Sequence, residues 1–125
     1  MQSVLIDTDI AIDFLRGVNE TKDLLFNLWQ QGMAYISILT IYELYAGMKI
    51  KEQNATDAFI DACNVEPLNS VICKKAGDLY RHYREQGITL TTVDCLIFAT
   101  AKLKKHKIAT RNIKHYPDKQ ILYNL

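Results

Sequence analysis

The 125-residue sequence has little of what marks several classes of protein. It contains three cysteines, two prolines and five glycines, with no internal repeat and no low-complexity stretch. The cysteines are too few and too widely spaced for a disulfide framework or a zinc site, and all three are expected to be buried thiols: Cys63, Cys73 and Cys95. No run of about 18 uncharged apolar residues occurs, so the sequence predicts no membrane helix.

The beginning of the sequence also lacks the pattern of a secretory signal. MQSVLIDTDIAID has no basic lead, and aspartates interrupt its apolar run. The composition, 49% hydrophobic and 23% charged, is typical of a globular protein, and the length predicts one domain over residues 1–125. We therefore expect a compact protein that works in a reducing cytoplasm.

Charge is divided unevenly along the chain. Residues 1–70 carry four Lys or Arg against ten Asp or Glu, whereas residues 71–125 carry eleven against four. The net charge of +1 therefore conceals an acidic first part and a basic second part. Two solvated faces would produce this division, and so would an acidic site beside an anion-attracting surface.

Short apolar runs alternate with helical patterns along the whole sequence. Strands are predicted at 4–6, 34–37, 65–68 and 107–110, with a short last strand at 121–123, although Pro67 weakens the third. Helices are predicted at 10–16, 21–31, 40–48, 55–63, 70–86 and 92–105. This alternation predicts an α/β layered fold in which helices flank a short, mostly parallel sheet.

Four polar side chains are expected at one edge of the predicted sheet. Asp7 and Asn112 each follow a predicted strand, and Glu43 and Asp94 lie in the first turns of predicted helices. The carboxyl ends of parallel strands meet at the same edge as the helices that follow them. One cleft could therefore collect three carboxylates and one amide.

Each of the four also has an ordinary structural explanation. Glu43 and Asp94 lie three residues after a threonine, which is the spacing of a helix capping box. Asp7 could cap a helix or occupy a turn, and Asn112 could cap the turn that follows it. Taken one residue at a time, both explanations remain open.

The neighbours of the carboxylates favour a ligand-binding role. Glu43 lies within IYELY, and Asp94 is followed by CLIFA. Carboxylates in such apolar surroundings are unfavourable unless a cation pairs with them, and no Lys or Arg lies within helical reach of either. Clustered oxygen ligands without a nearby base favour a hard divalent cation, Mg²⁺ or Mn²⁺.

Four sequence blocks resemble those of PIN-domain ribonucleases, and above all the VapC-type toxins of bacterial toxin–antitoxin pairs: LIDTDIAIDFLRG, TIYELYAG, TTVDCLIFATA and IATRNIKHYP. The resemblance extends from Val4 to about Pro117, with the blocks in family order and spacing. It implies a three-layer α/β/α PIN-like domain with an acidic, Mg²⁺- or Mn²⁺-dependent active site that hydrolyses RNA.

The resemblance also implies a role for each position. The family's acids fall on Asp7, Glu43 and Asp94, which would hold the cation, and its fourth position, acidic in many relatives, is Asn112 here. An amide brings no charge, which puts a strongly bound second metal ion in doubt. Asp9 stands where relatives often carry a small polar residue and could supply some of the missing charge.

The basic second part of the chain would then face the RNA. Thr110 and Arg111 are the contacts expected first, with further attraction from four lysines: Lys102, Lys104, Lys105 and Lys107. By resemblance, the other partners would be an antitoxin whose segment covers the acidic cleft and a second copy of this chain.

Two other functions compete with the nuclease. Asp7-Thr8-Asp9 after an apolar strand mimics the nucleophile motif of haloacid-dehalogenase-type phosphatases, but Ala11 stands where that motif requires Thr or Val. The second is a PIN-fold binding module whose weakened acidic site no longer cuts. It would bind a partner or RNA tightly without metal-dependent turnover.

Overall fold

The structure, a computed structural model, describes residues 2–125 and contains one four-stranded sheet. Its strands are β1 (Val4–Ile6), β2 (Ala34–Ser37), β3 (Asn64–Glu66) and β4 (Lys107–Ala109). They lie in the order β3-β2-β1-β4, and every pairing is parallel. In this register Leu5 lies opposite Tyr35 of β2 and Ile108 of β4, which confirms the predicted parallel sheet.

Six α-helices flank the sheet. They are α1 (Thr8–Leu15), α2 (Asn19–Gln30), α3 (Ile38–Gly47), α4 (Gln53–Ala62), α5 (Ser70–Glu85) and α6 (Thr92–Lys104). Short 3₁₀ turns occupy Ile50–Glu52, Ile113–His115 and Lys119–Ile121. Among residues 2–125, no helix is long and apolar enough to cross a membrane.

The alternation of side chains along β1 divides the core into two layers. Leu5 packs with Phe98 and the other buried residues of α5 and α6, whereas Val4 and Ile6 pack with α1 to α4. Successive side chains of a strand point to opposite faces, so an unbroken apolar run such as VLI requires helices on both faces. The result is the expected three-layer α/β/α arrangement.

Short polar side chains cap four of the six α-helices described for residues 2–125. Asp7 ends β1 and accepts from the backbone N–H of Thr8 at 2.9 Å, so it caps α1. Thr91 accepts from the backbone N–H of Asp94 at 3.1 Å and caps α6. Each bond satisfies a backbone donor that the first turn of a helix leaves without a partner. The first turns that they begin contain Asp9 in α1 and Asp94 in α6.

Most element boundaries differ from the predicted ones by one or two residues, and three of the differences show their cause in the structure. The third helix begins at Ile38 because Ser37 caps it, accepting from the N–H of Leu39 at 3.0 Å. The third strand ends at Glu66, before Pro67. The last predicted strand is reduced to a single parallel bridge between Ile108 and Leu122.

The prediction that all three cysteines are buried is correct for one of them. Cys95 is buried as expected, whereas Cys63 is half-buried and Cys73 is exposed. Cys73 lies on α5, where the buried face is formed by Ile72, Ala76 and Leu79. Its position on that helix, rather than the apolar residues beside it in sequence, determines its exposure.

Candidate active site

Asp7 lies at the centre of the carboxyl edge of the sheet and is only 6% exposed. Its Oδ2 accepts from the hydroxyls of Thr110, at 2.9 Å, and Tyr116, at 3.0 Å. Burial, followed by repulsion from Asp9, raises the pKa of Asp7, while these hydrogen bonds oppose the rise. The carboxylate is therefore held in place by neutral donors.

Asp94 approaches the same hydroxyl from the first turn of α6. Its Oδ1 lies 3.5 Å from the Tyr116 hydroxyl, and its Oδ2 lies 3.1 Å from Nδ1 of His115. Burial and then the charges of Asp7 and Asp94 raise the pKa of Tyr116, so its hydroxyl stays protonated. The structure thus brings together Asp7 and Asp94, the first and third acids of the predicted set.

Glu43 joins this site through a threonine rather than by direct contact. The Thr8 hydroxyl donates to Oε1 of Glu43 at 2.7 Å and lies 3.0 Å from the hydroxyl of Thr40. Since α3 starts at Ile38, Glu43 is not in the capping box that its spacing from Thr40 suggested. Its side chain instead faces α1, where it contacts Thr8, the residue that follows Asp7.

Asp9 holds the loop that follows β4. Its Oδ2 accepts from the backbone N–H of Arg111 at 2.7 Å, and the N–H of Asn112 donates to the Thr110 hydroxyl at 3.0 Å. These bonds fix residues 110–112 beside Asp7. Asn112 is exposed at this edge and is linked to the site through its backbone.

Thr110 differs from the sequence prediction. It was expected to contact RNA, but it is 3% exposed and its hydroxyl donates to Asp7. A buried hydroxyl that already has an acceptor cannot contact a ligand without rearrangement. In the structure the Thr110 hydroxyl is bonded to the Asp7 carboxylate, and of the two expected contacts only Arg111 is exposed.

The predicted lysines lie away from the carboxylates. Lys102, Lys104 and Lys105 follow Asp94 by two to three helical turns, which at 1.5 Å per residue is roughly 12–17 Å. Lys102 also forms an ion pair with Asp118 at 3.0 Å. Arg111 and His115 lie nearer to the carboxylates, since Arg111 is bonded to Asp9 and Asp13 and His115 contacts Asp94.

The chemistry of the donors fits a hard divalent cation. Asp7 is buried without a cationic partner among residues 2–125, and a second carboxylate lies across one hydroxyl from it. Among all the residues that the structure describes, no three acidic, histidine or cysteine side chains are close enough to enclose an ion by themselves. The two carboxylates themselves are oxygen donors of the kind that hard divalent cations bind.

Two residues of the site were not predicted from the sequence. Tyr116 joins Asp7 to Asp94, and His115 contacts Asp94 from the 3₁₀ turn that contains it. Both lie in the block IATRNIKHYP, but no periodic pattern marks a side chain on an irregular turn. A tyrosine after a polar turn is also an ordinary core residue in sequence terms.

The similarity of this chain to known proteins, in sequence and in structure, extends over nearly its whole length. The PIN domain family model matches residues 4–116. The chain is 34% identical to Ribonuclease VapC10 of Mycobacterium tuberculosis, over 91% of this chain and 86% of that protein. It is 37% identical to Ribonuclease VapC19 of the same organism, over 90% of this chain and 91% of that protein. A chain in a toxin–antitoxin complex from Klebsiella pneumoniae superposes with a TM-score of 0.83 at 27% identity, over 98% of this chain and 97% of that one.

Proposed function

This chain belongs to the PIN-domain family, and from that premise we propose that it is a metal-dependent ribonuclease and the toxin of a toxin–antitoxin pair. The observation that carries the proposal is the convergence of Asp7 and Asp94 on the Tyr116 hydroxyl. The names of its relatives, Ribonuclease VapC10 and Ribonuclease VapC19, support RNA as the substrate. The proposal treats residues 1–125 as one PIN-like domain that works in the cytoplasm.

In this proposal Asp7 and Asp94 would hold a divalent cation, Mg²⁺ or Mn²⁺, with Glu43 beside them. When bound, the cation lowers the pKa of a water molecule and neutralises charge on the scissile phosphate. Thr110 and Tyr116 restrain Asp7 so that its position is set before the ion arrives. Restrained ligands lose less conformational freedom on binding, so they bind more tightly.

Glu43 and Asn112 complete the proposed catalytic set. Thr8 donates to one oxygen of Glu43, which leaves the other oxygen to orient the attacking water. Asn112 offers an amide at the exposed side of the cleft, where it can hydrogen-bond water or a phosphate oxygen. Arg111, exposed beside it and paired with Asp13, can offer its remaining N–H groups to the RNA backbone.

An antitoxin segment is proposed to cover a groove that leads to Glu43. The groove has a volume of about 360 Å³ and continues, through Leu15 and Ala55, into a second depression of about 480 Å³. Its lining is largely apolar and includes four aromatic or sulfur-bearing side chains: Phe14, Trp29, Phe59 and Met48. An amphipathic segment suits such a groove, and the Klebsiella pneumoniae complex, a toxin–antitoxin assembly, supports a partner of this kind.

A second copy of the chain is the other proposed partner. Ile38, Tyr42 and Tyr45 lie on one side of α3 at helical spacing and are 44%, 71% and 41% exposed. Apolar side chains grouped on one surface favour association. Light scattering of the purified chain tests this, with Tyr42→Glu expected to convert a dimer into a monomer.

The phosphatase and binding-module alternatives are not favoured. The matching family is the PIN family, and its acids, Asp7 and Asp94, are both present and close together. A binding module would bind RNA without cutting it, so activity decides between them.

The test is cleavage of RNA by the purified chain with Mn²⁺, Mg²⁺ or EDTA. We expect cleavage that requires metal and is lost in Asp94→Asn. The matched control is Asp118→Asn, which removes a carboxylate bonded to Lys102, outside the proposed site. Binding of RNA and metal without cleavage would instead support the binding module.

A further inference from the structure

Arg111 lines a pocket that no step of the proposed reaction uses. This side pocket has a volume of about 610 Å³, within the range of about 300–1,000 Å³ typical of small-molecule sites. Apolar side chains from α1, α2 and the C-terminal segment form much of its lining: Ile10, Val18, Leu24 and Tyr123. It adjoins the carboxyl edge of the sheet, because the backbone of Arg111 is bonded to Asp9 and the preceding residue to Asp7.

Asp13 fixes the guanidinium of Arg111. Its two carboxylate oxygens lie 2.7 Å from Nε and 3.1 Å from Nη2, which is a two-point contact. Asp9 and Asp13 are four residues apart on α1, so one face of that helix holds both the backbone and the side chain of Arg111. Such a contact sets the plane of the guanidinium and leaves Nη1 available.

A planar group beside an apolar pocket is suited to a nucleobase. Unpaired bases of RNA stack on guanidinium and aromatic planes, and proteins recognise them by hydrogen bonds to their edges. Arg111 and Tyr123 offer such planes, and Asn27 offers an amide that can pair with a base edge. A base is a flat apolar ring with polar edges, so the planes suit its faces and the amide suits its edge.

The carboxylates of the pocket indicate which part of RNA enters it. Asp13, Glu20 and Asp23 contribute to the lining and repel a phosphate. Asp13 is already bonded to Arg111, but Glu20 and Asp23 can accept hydrogen bonds from an amino group, as acidic side chains do from the amino group of cytosine. Uracil has no amino group and matches them least well.

We propose that the side pocket binds one unpaired nucleobase next to the scissile phosphate, that it prefers a base with an amino group, and that Asp13 positions Arg111 as its stacking wall. The proposal rests on the proposed RNA cleavage and adds recognition of sequence to it. Arg111 then serves two purposes, with its charge near the RNA backbone and its plane against the base.

The first test is cleavage of a randomised single-stranded RNA pool, with the fragment ends sequenced. The wild type should disfavour uracil at one position beside the cut. Arg111→Lys keeps the charge but loses the plane, and should weaken binding of the base by roughly tenfold, the effect of losing one stacked base, so that the preference at this position is lost with it. Asn27→Ala should weaken it too, whereas Asn54→Ala, an exposed substitution on α4 outside the pocket, is the matched control.

Asp13 is tested by a double-mutant cycle. Asp13→Asn should weaken the base preference in the wild-type background and have no further effect in Arg111→Ala, because Asp13 acts through Arg111. A purely structural role of Asp13 would instead lower the Tm and the overall rate equally in both backgrounds, with the preference unchanged. That result would overturn its positioning role.

Titration with guanosine and uridine, followed by nuclear magnetic resonance, separates this proposal from the proposed function. Shifts of Asn27 with guanosine that exceed those with uridine support the side pocket even in a preparation that cuts no RNA. Metal-dependent cleavage with no base preference and no nucleoside shifts would overturn the side pocket and leave the ribonuclease intact. Shifts caused only by an arginine-containing peptide would assign the pocket to a protein partner and overturn the proposal.

Discussion

Replacing Asp7 by asparagine is expected to stabilise the fold at neutral pH while it abolishes catalysis. Burial and then repulsion from Asp9 raise the pKa of Asp7 above its ordinary value of 3.8. An acid whose pKa is raised in the folded state contributes stability below its unfolded pKa, and this contribution is lost as the pH rises through the folded pKa. At pH 7.5 the fold therefore holds an unfavourable charge that the neutral amide removes.

The hydrogen bonds around Asp7 can adapt to the amide. Asparagine keeps an oxygen for the N–H of Thr8, and the hydroxyls that donate to Asp7 have other acceptors nearby. Thr110 lies 3.5 Å from the oxygens of Asp9, and Tyr116 lies 3.5 Å from Asp94. We expect a net gain of about 1 kcal/mol in the free energy of unfolding, which corresponds to a Tm higher by roughly 3–6 °C.

Thermal unfolding followed by circular dichroism between pH 3 and 8, in EDTA, measures this gain. The gain should be complete near pH 7.5 and disappear as the pH falls to the unfolded pKa of 3.8. Asp118→Asn is a control of opposite sign, because the hydrogen bond from Lys102 lowers the pKa of Asp118. That variant should be less stable than the wild type at neutral pH and converge with it in acid. A wild type as stable as Asp7→Asn at pH 7.5, or a difference independent of pH, would show that the charge of Asp7 does not destabilise the fold.

Three further predictions concern other parts of the molecule. Tyr116→Phe removes a buried hydrogen bond to a carboxylate and should lower the free energy of unfolding in urea by about 1–3 kcal/mol, so an unchanged midpoint would contradict the bond to Asp7. Maleimide at pH 7.5 should add one label, at the exposed Cys73, because burial raises the pKa of Cys63 to about 11; rapid labelling of Cys63, located by mass spectrometry, would contradict this. Arg111→Ala should reduce the slope of log Kd against log salt for single-stranded RNA by about 0.7, and an unchanged slope would exclude Arg111 from the backbone contacts.

Much of the fold could be predicted because its signals are local. All three residues of the run VLI are apolar, so both faces of the strand are apolar, which is typical of a strand covered by helices on both sides. Asp7, directly after this run, marks the end of the strand. The helix limits are less certain because several neighbouring residues can cap a helix. Ser37 and Thr40 both precede apolar residues, and the structure uses Ser37, so that the Thr40 side chain is free to contact Thr8.

The acids of the site could be predicted because each lies directly after a strand or at the start of a helix. Asp7 and Asp94 converge because parallel strands and their helices share one edge. Tyr116 could not be placed, since the chain from 110 to 116 turns irregularly and its side chains do not follow a fixed period. The same is true of the pair between Asp13 and Arg111, whose members are 98 residues apart in sequence.

Mn²⁺ binding and RNA cleavage, measured in the same samples, show whether Asp7 and Asp94 hold a catalytic ion. Electron paramagnetic resonance gives the bound fraction of Mn²⁺, and gel analysis gives the cleavage rate at each Mn²⁺ concentration. If Asp7 and Asp94 hold the catalytic ion, both curves have the same midpoint, and Asp94→Asn loses binding and cleavage together. Cleavage by Asp94→Asn at the wild-type rate, or cleavage in EDTA, would contradict the account.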